Sequence, residues 1–386
     1  MSPVRLIMAI FFLQPIAFGA WLPRIPDIQA RLAIGPGDLA IALIGMPVGI
    51  LVMLPFAGRL VARIGSRQAI LYGFWIFLGL VFVPALSGSV GMLFATLMLL
   101  GAAMTTMELS LNVEADQIEK MCGRLIMNRC HGFWSLGIMA GSLIGGALAS
   151  LGLGPAPAVF AVAIVVLPAG LFVGVRLPKA ETADDAVAVV RLPFKLPSAA
   201  LLAICLFTFG ITMTEGAVAD WSAVYLRDLF ATNGILTGLG YTLFALVAAG
   251  GRFVGDLLKA RLGAVMLARI CGVFALIGML VVVIAPVLPV AYLGFVIVGF
   301  GVSVGFPLAV SASAALTDRP AAASVAILSF IALLGFLVGP PVIGFAAKAF
   351  GLKTGLAMLL PALAISLLLT GALTTHESRQ PEPEPA

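Results

Sequence analysis

Apolar runs of about twenty residues recur along the whole chain, parted by short stretches that hold most of the arginines and lysines. A run of that length needs a helix, because lipid offers the backbone no hydrogen-bond partner and the hydrocarbon core is about 30 Å thick. The pattern predicts twelve spanning helices, over 4–24, 38–61, 68–87, 90–115, 129–152, 155–176, 199–223, 235–258, 265–285, 288–314, 322–348 and 352–372. With the first helix starting inside, Arg5, Arg63, Arg67, Lys120, Arg124, Arg129, Arg176, Lys179, Arg191, Lys195, Lys259, Arg261, Arg319 and Arg379 lie on one side. Arg24, Arg31, Arg227, Lys348 and Lys353 fall on the other. Basic residues collect on the cytoplasmic side, so both termini are expected there. The start, M-S-P-V-R-L-I-M-A-I-F-F-L-Q-P-I-A-F-G-A, has the length of a secretory signal. Removing it would leave an odd number of helices, so it is read as the first spanning helix.

Composition supports the same class. Of 386 residues, 62% are hydrophobic and 10% charged, against about 25% charged in soluble domains. The net charge of +5 is explained by the side-to-side asymmetry of the loops, which removes any need for a nucleic-acid partner. Cys122, Cys130, Cys205 and Cys271 show no C-x-x-C spacing, and His131 and His376 are the only histidines. Neither a disulfide framework nor a metal or cofactor site is expected.

The chain repeats itself once. G-A-W-L-P-R-I-P-D closes the first predicted helix, and A-D-W-S-A-V-Y-L-R-D closes the seventh, so Trp21 answers Trp221. A-R-I-G at 62–65 answers A-R-L-G at 260–263. Two six-helix units result, 1–176 and 199–372, joined by a polar, proline-bounded linker over 177–198. The tail over 373–386, ending P-E-P-E-P-A, is of low complexity and expected to be disordered.

G-R-L-V-A-R-I-G-S-R resembles the loop motif between helices 2 and 3 of the major facilitator superfamily, Gly-x-x-x-Asp-Arg-x-Gly-x-Arg. Gly58, Arg63, Gly65 and Arg67 match, and Ala62 stands where the acid belongs. The second copy keeps Gly255, Arg261 and Gly263, with Ala260 in the acid's place and Asp256 nearby. W-L-P-R-I-P-D-I-Q, E-L-S-L-N, H-G-F-W-S-L-G, E-G-A-V-A-D-W-S and G-F-L-V-G-P-P-V-I-G resemble a bacterial, sugar-permease-like branch that includes rhizopine-type membrane proteins. The resemblance implies an all-α membrane fold of two pseudo-symmetric six-helix bundles around a central cavity lined by helices 1, 4, 7 and 10. It also implies a transporter in the bacterial inner membrane that works by rocking of the bundles. In that family the loop acid helps latch the cytoplasmic side. Here Arg63 and Arg261 are expected to latch through helix C-termini, or through Asp256 and Glu119, or less firmly.

Charged groups inside apolar helices are the candidates for chemistry, since each costs roughly 3 kcal/mol at the bilayer centre on lenient scales. On helix 7, Thr208, Thr212, Glu215 and Ser222 recur at helical spacing and predict one polar stripe. No base lies within a turn of Glu215 on its own helix. It is read as a proton or substrate site, in preference to a protonated acid bonded to a neighbouring helix. Asp220 lies nearer the outer surface and is read as an interfacial acid paired with Arg24.

On helix 4, Thr105, Glu108, Asn112 and Asp116 share a face. Glu108 and Asn112 suit polar substrate groups, and equally suit a hydrogen bond to His131 or Ser135 on helix 5. Glu114 and Asp116 are expected to reach the headgroups. Gln14, Phe18 and Trp21 on helix 1 suit a sugar or cyclitol, whose ring stacks while its hydroxyls bond, and equally suit ordinary packing. A lone His131 is more often structural. G-I-M-A-G-S-L-I-G-G at 137–146 reads as close helix packing, and G-F-G-V-S-V-G-F-P at 299–307 as part of an apolar helix rather than a nucleotide loop.

These readings predict a monomeric, proton-coupled transporter of a small polar organic solute. The alternatives are an exporter of metabolites or drugs and, less favoured, a membrane sensor. No nucleophile–base constellation marks an enzyme.

Overall fold

The computed structural model describes residues 2–124, 126–178 and 196–374; most of the linker and the tail lie outside the described residues. Among the described residues, twelve helices are long and apolar enough to cross a membrane. They are α1 (Pro3–Leu32), α2 (Pro36–Ile64), α3 (Ser66–Leu86), α4 (Val90–Cys122), α5 (Arg129–Ser150), α6 (Pro155–Gly174), α7 (Ala199–Phe230), α8 (Gly234–Leu262), α9 (Ala264–Ile284), α10 (Leu288–Ala314), α11 (Ala323–Phe350) and α12 (Leu352–Leu373). Because the spans alternate in direction, α1 begins and α12 ends at one face, called the terminal end below. The short connections after α1, α7 and the other odd-numbered helices lie at the opposite, distal end. Each six-helix half forms a bundle, and α1 and α7 bury the largest share of their residues.

Small residues set the packing within each bundle, and they do so twice. A methyl added to Gly137, Gly141 or Gly145 on α5 would run into the backbone oxygen of Phe12, Ile16 or Ala20 on α1. The second half repeats the arrangement, with Gly335 and Gly339 of α11 set against Phe209 and Met213 of α7. Gly45 and Gly49 bring α2 onto α4 as Gly299 brings α10 onto α8. The glycine run 137–146 is therefore close helix packing, as its spacing indicates. The loop glycines repeat as well: Gly65 and Gly263 both take positive φ, 82° and 75°, a conformation that costs glycine little.

Several of the described spans are interrupted, α2 after Leu43 and α12 after Ala357 among them, and the breaks in α1 and α10 bear on the site. α1 divides into Pro3–Leu13 and Ile16–Trp21, continuing through a short 3₁₀ turn into Ile25–Leu32. Pro15 has no N–H to continue the helical ladder, and its ring clashes with the preceding turn. α10 divides into Leu288–Val302 and Gly305–Ala314. The stretch G-F-G-V-S-V-G-F-P does lie inside the apolar span, and the break falls within it at Ser303 and Val304. Pro307 cannot donate to the carbonyl four residues back, which belongs to Ser303, so that oxygen needs a partner from elsewhere. Broken backbone at membrane depth is tolerated where protein or a wet cavity satisfies it.

The bundles meet along α5 with α8 and α2 with α11. Ser150 accepts from the Ile235 N–H at 2.9 Å, and Ser142 and Thr242 bond across the same crossing at 3.1 Å. Gly344 of α11 lies against Ala40 at the start of α2 and against Trp221 of α7. Arg227 of α7 completes the distal contact, donating to the Pro26 carbonyl at 2.6 Å and to Gln29 Oε1 at 2.7 Å.

A mid-membrane ion pair and its neighbours

Glu215 lies midway along α7, and its side chain meets Arg252 of α8, Nη2 to Oε1 at 2.7 Å. Arg252 uses its other donors to join two more helices. Nη1 donates to Ser135 Oγ on α5 at 2.5 Å, which crosses from one bundle to the other. Nε donates to the Ser303 carbonyl at 3.3 Å, the oxygen that Pro307 leaves without a helical donor. Ser135 in turn donates to the His131 carbonyl at 3.1 Å. One guanidinium thus ties α5, α7, α8 and the break in α10. Its fixed fork of donors suits such convergence better than an ammonium would.

The pair is enclosed without being sealed, with side-chain exposures of 20% for Arg252 and 16% for Glu215. Tyr241, two turns or more before Arg252 on α8, lies within electrostatic reach of Glu215, Asp220 and Arg252. His131 keeps an exposed ring, set edge-on to Phe11 at 5.5 Å between centroids, and feels the Arg252 charge.

Arg252 is the residue that sequence reading missed. The signal was present, a single arginine in the apolar stretch L-V-A-A-G-G-R-F-V-G-D, whose charge at that depth demands a counter-ion. Glu215 does lack a base on its own helix; the base arrives from α8.

Several other expectations are corrected. Thr208 and Thr212 are buried and bonded to carbonyls one turn back on α7. Ser222 is buried with no partner among the described residues. Of the four stripe residues, Glu215 is the one whose side chain meets a charged partner among the described residues. Arg24 does not meet Asp220; its Nε bonds Asp27 at 2.7 Å and Nη2 donates to the Leu153 carbonyl at 2.6 Å. Asp220, half-buried, has no hydrogen bond among the described residues and lies within electrostatic reach of Tyr241.

Glu114 does not reach the headgroups. It is buried and accepts from Ser66 Oγ at 2.6 Å, while Asp116 pairs with Lys120 at 2.7 Å. Glu108 and Asn112 stay half-buried on α4 and make no hydrogen bond to His131 or Ser135. Gln14 sits in the break of α1, fully enclosed, with neither amide atom hydrogen-bonded. Trp21 and Trp221 are both buried, and both indole N–H groups lack a partner. Trp21 stacks on Phe18 at 6.2 Å.

At the terminal end, Arg67 caps α6, donating to the Val175 carbonyl at 2.5 Å. Arg63 and Arg261 are exposed and make no hydrogen bond or ion pair among the described residues. Glu119 is not their partner, because its Oε2 accepts the Ile126 and Met127 N–H groups at 2.7 and 3.1 Å. Asp256 is exposed too. Aligned on Gly65 and Gly263, Gly58 falls opposite Asp256, one residue beyond Gly255. Gly58 faces open space, whereas Gly255 lies close against Val304.

Comparison with known proteins decides the family. The profile of the Major Facilitator Superfamily matches residues 7–327. The chain belongs to the Major Facilitator Superfamily. An uncharacterized MFS-type transporter of Yersinia pestis is 30% identical over 362 residues, 92% of each chain. Membrane protein MosC of Rhizobium meliloti is 28% identical, over 97% of this chain and 90% of its own. Among solved structures, the nucleoside transporter NupG superposes with a TM-score of 0.70 at 14% identity, covering 97% of this chain and 98% of its own. FucP, in its outward conformation, gives 0.64 at 16% identity, covering 97% and 99%. These superpositions establish the fold, two bundles of six helices.

Proposed function

We propose that this superfamily member is a proton-coupled secondary transporter of a small polar organic solute, working by alternating access in the bacterial inner membrane. The observation that carries the reading is the Glu215–Arg252 pair, set at mid-membrane and bonded through Ser135 to the opposite bundle. A carboxylate that exchanges a proton there changes the charge on a contact between the two moving bodies. Protonating Glu215 removes the partner of Arg252, and an uncompensated guanidinium at that depth is costly. The proton thereby alters the energy of the joint on which rocking depends. In this reading the terminal end faces the cytoplasm, and the distal contact of Arg227 with Pro26 and Gln29 supports an inward-facing state. Asn112 and Glu108, half-buried and without hydrogen bonds among the described residues, supply polar groups for a hydroxylated solute. The protein acts as a monomer, with the solute, protons and the bilayer as its partners.

The test uses purified protein in liposomes carrying a pH-sensitive dye, screened against sugars, cyclitols, amino sugars, sugar acids and nucleosides. A transported compound should carry protons with it, and Glu215→Gln should still exchange labelled compound across the membrane without uphill accumulation driven by a pH gradient. Uphill accumulation by Glu215→Gln equal to the parent's would remove the proton role from this residue.

A further inference from the structure

The hub contains an imbalance that bears on the kind of solute. We infer that Arg252 is the anchor for a carboxylate on the transported solute, and that this anchor becomes available when Glu215 takes up a proton. The inference rests on the proton reading above and names the class of solute for the same site.

The argument begins with the charges that face the pair from every side. Glu215 comes from α7 and Arg252 from α8. Tyr241, also on α8, is neutral unless it ionises, and Asp220 lies on α7 beyond it. His131 and Ser135 approach from α5, and the Ser303 carbonyl from α10. Arg252 is the one permanent cation in this set, and Glu215 alone is ion-paired to it. Ser135 and Ser303 contribute dipoles, which orient the guanidinium but do not cancel its charge.

Two half-filled states are therefore unfavourable. A proton arriving alone on Glu215 leaves Arg252 positive with only dipoles around it. A carboxylate arriving alone puts two anions on one guanidinium in a poorly hydrated space, where like charges repel strongly. When both arrive, the proton rests on a Glu215 carboxyl oxygen and the solute's carboxylate takes the vacated Nη2 edge of Arg252. The guanidinium keeps its proton throughout. The charge is then the same as in the empty state, so each ligand favours the other.

The geometry permits the exchange. Nη2 is the donor bound to Glu215, whereas Nη1 and Nε are held by Ser135 and the broken α10. The fork therefore stays aimed when Glu215 lets go. A planar guanidinium takes a carboxylate with particular directionality. Ser135 belongs to the other bundle, so a solute bound here sits at the joint that alternating access must open and close. A neutral sugar would bond at this place without answering the freed charge, and an amine would add to it.

The experiment separates solute charge from solute shape. D-glucuronate, D-glucose and D-glucosamine share one ring and differ in charge, and thermal melting of the full-length protein in detergent reports their binding. Sodium lactate is included as a carboxylate without the ring. Glucuronate or lactate should raise the melting temperature, more at pH 5.5 than at pH 8, with glucose and glucosamine inert at both. Glu215→Gln should keep the carboxylate shift and lose its pH dependence. Arg252→Lys should weaken the shift.

The double variant Glu215→Gln with Arg252→Gln leaves no stranded charge, so its folding is protected, and it should lose the shift entirely. A persistent shift in the double variant overturns the proposal, as does the absence of any carboxylate shift in the parent. Glucose or glucosamine matching glucuronate, with the acid-pH preference intact, overturns the carboxylate anchor and leaves the proton reading standing. A carboxylate shift of equal size at both pH values in the parent overturns the proton reading, and with it the exchange.

Discussion

Arg252 carries its charge deep in an apolar helix, and each of its donors answers a different local need. Glu215 supplies the counter-charge, Ser135 a dipole from the other bundle, and Ser303 a carbonyl that Pro307 has left open. Removing one member of such a pair strands the other, at a cost of about 3–5 kcal/mol. Arg252→Gln alone should therefore lower the melting temperature in detergent markedly, and Glu215→Gln alone should do so less, because Arg252 keeps Ser135 and Ser303. The double neutral variant should recover most of the loss. If the single and double arginine variants melt together, the pair contributes nothing to stability. Glu108 is the internal control: it faces no cation among its described neighbours. Glu108→Gln should leave proton-driven accumulation intact while changing the apparent affinity for the solute. Loss of accumulation with unchanged exchange would move the proton site to α4.

At the scale of elements, glycine decides how closely helices approach, and its position decides what a methyl would cost. Gly141 lies where α5 crosses α1, and a β-carbon there would collide with the Ile16 carbonyl oxygen. Gly58 lies in α2 with nothing within 4 Å of the same position. Gly141→Ala should destabilise by about 1–3 kcal/mol, the usual range for overpacking. Gly58→Ala should be neutral or stabilising by up to about 1 kcal/mol, because alanine favours the helix. Detergent melts of the two variants should separate in that order, and equal behaviour would remove the packing reading. The G-I-M-A-G-S-L-I-G-G run disclosed this role through its four-residue spacing. The break in α10 was also legible in principle, since Pro307 names the carbonyl it deprives. What the string does not contain is the donor that fills the gap, which comes from another helix.

For the whole molecule, the missing loop acids set a prediction about states. Arg63 and Arg261 stand unpaired among the described residues, while the distal end is bridged by Arg227. Ala62→Asp together with Ala260→Asp should favour closure of the terminal end. Spin-label pairs spanning α2 and α11 near that end should then report shorter distances than in the parent. Unchanged distances would deny these two positions any latching role. Orientation has its own check. Cysteines placed in the linker over 177–198 should resist membrane-impermeant reagents applied to intact cells, and ready labelling would invert the proposed topology.

The sequence by itself determined the twelve spans, the twofold repeat and the family, because lipid forces backbone hydrogen bonds inside each helix and makes the length of an apolar run a direct measure of structure. It also singled out Glu215, because an acid in such a run stands out against its surroundings. Partners between helices were decided by the tertiary structure alone. The pairing of Asp220 with Arg24 was inferred from repeat positions, yet Arg24 turns to Asp27 and the Leu153 carbonyl, both close to where α1 ends. Glu215 meets a base thirty-seven residues away on α8, and Arg252 reaches a serine 117 residues earlier in the chain, in the other bundle. Spacing along a chain fixes which face of a helix a side chain occupies. Only the packing of helices against one another fixes what that face meets, and a buried charge is satisfied by what it meets.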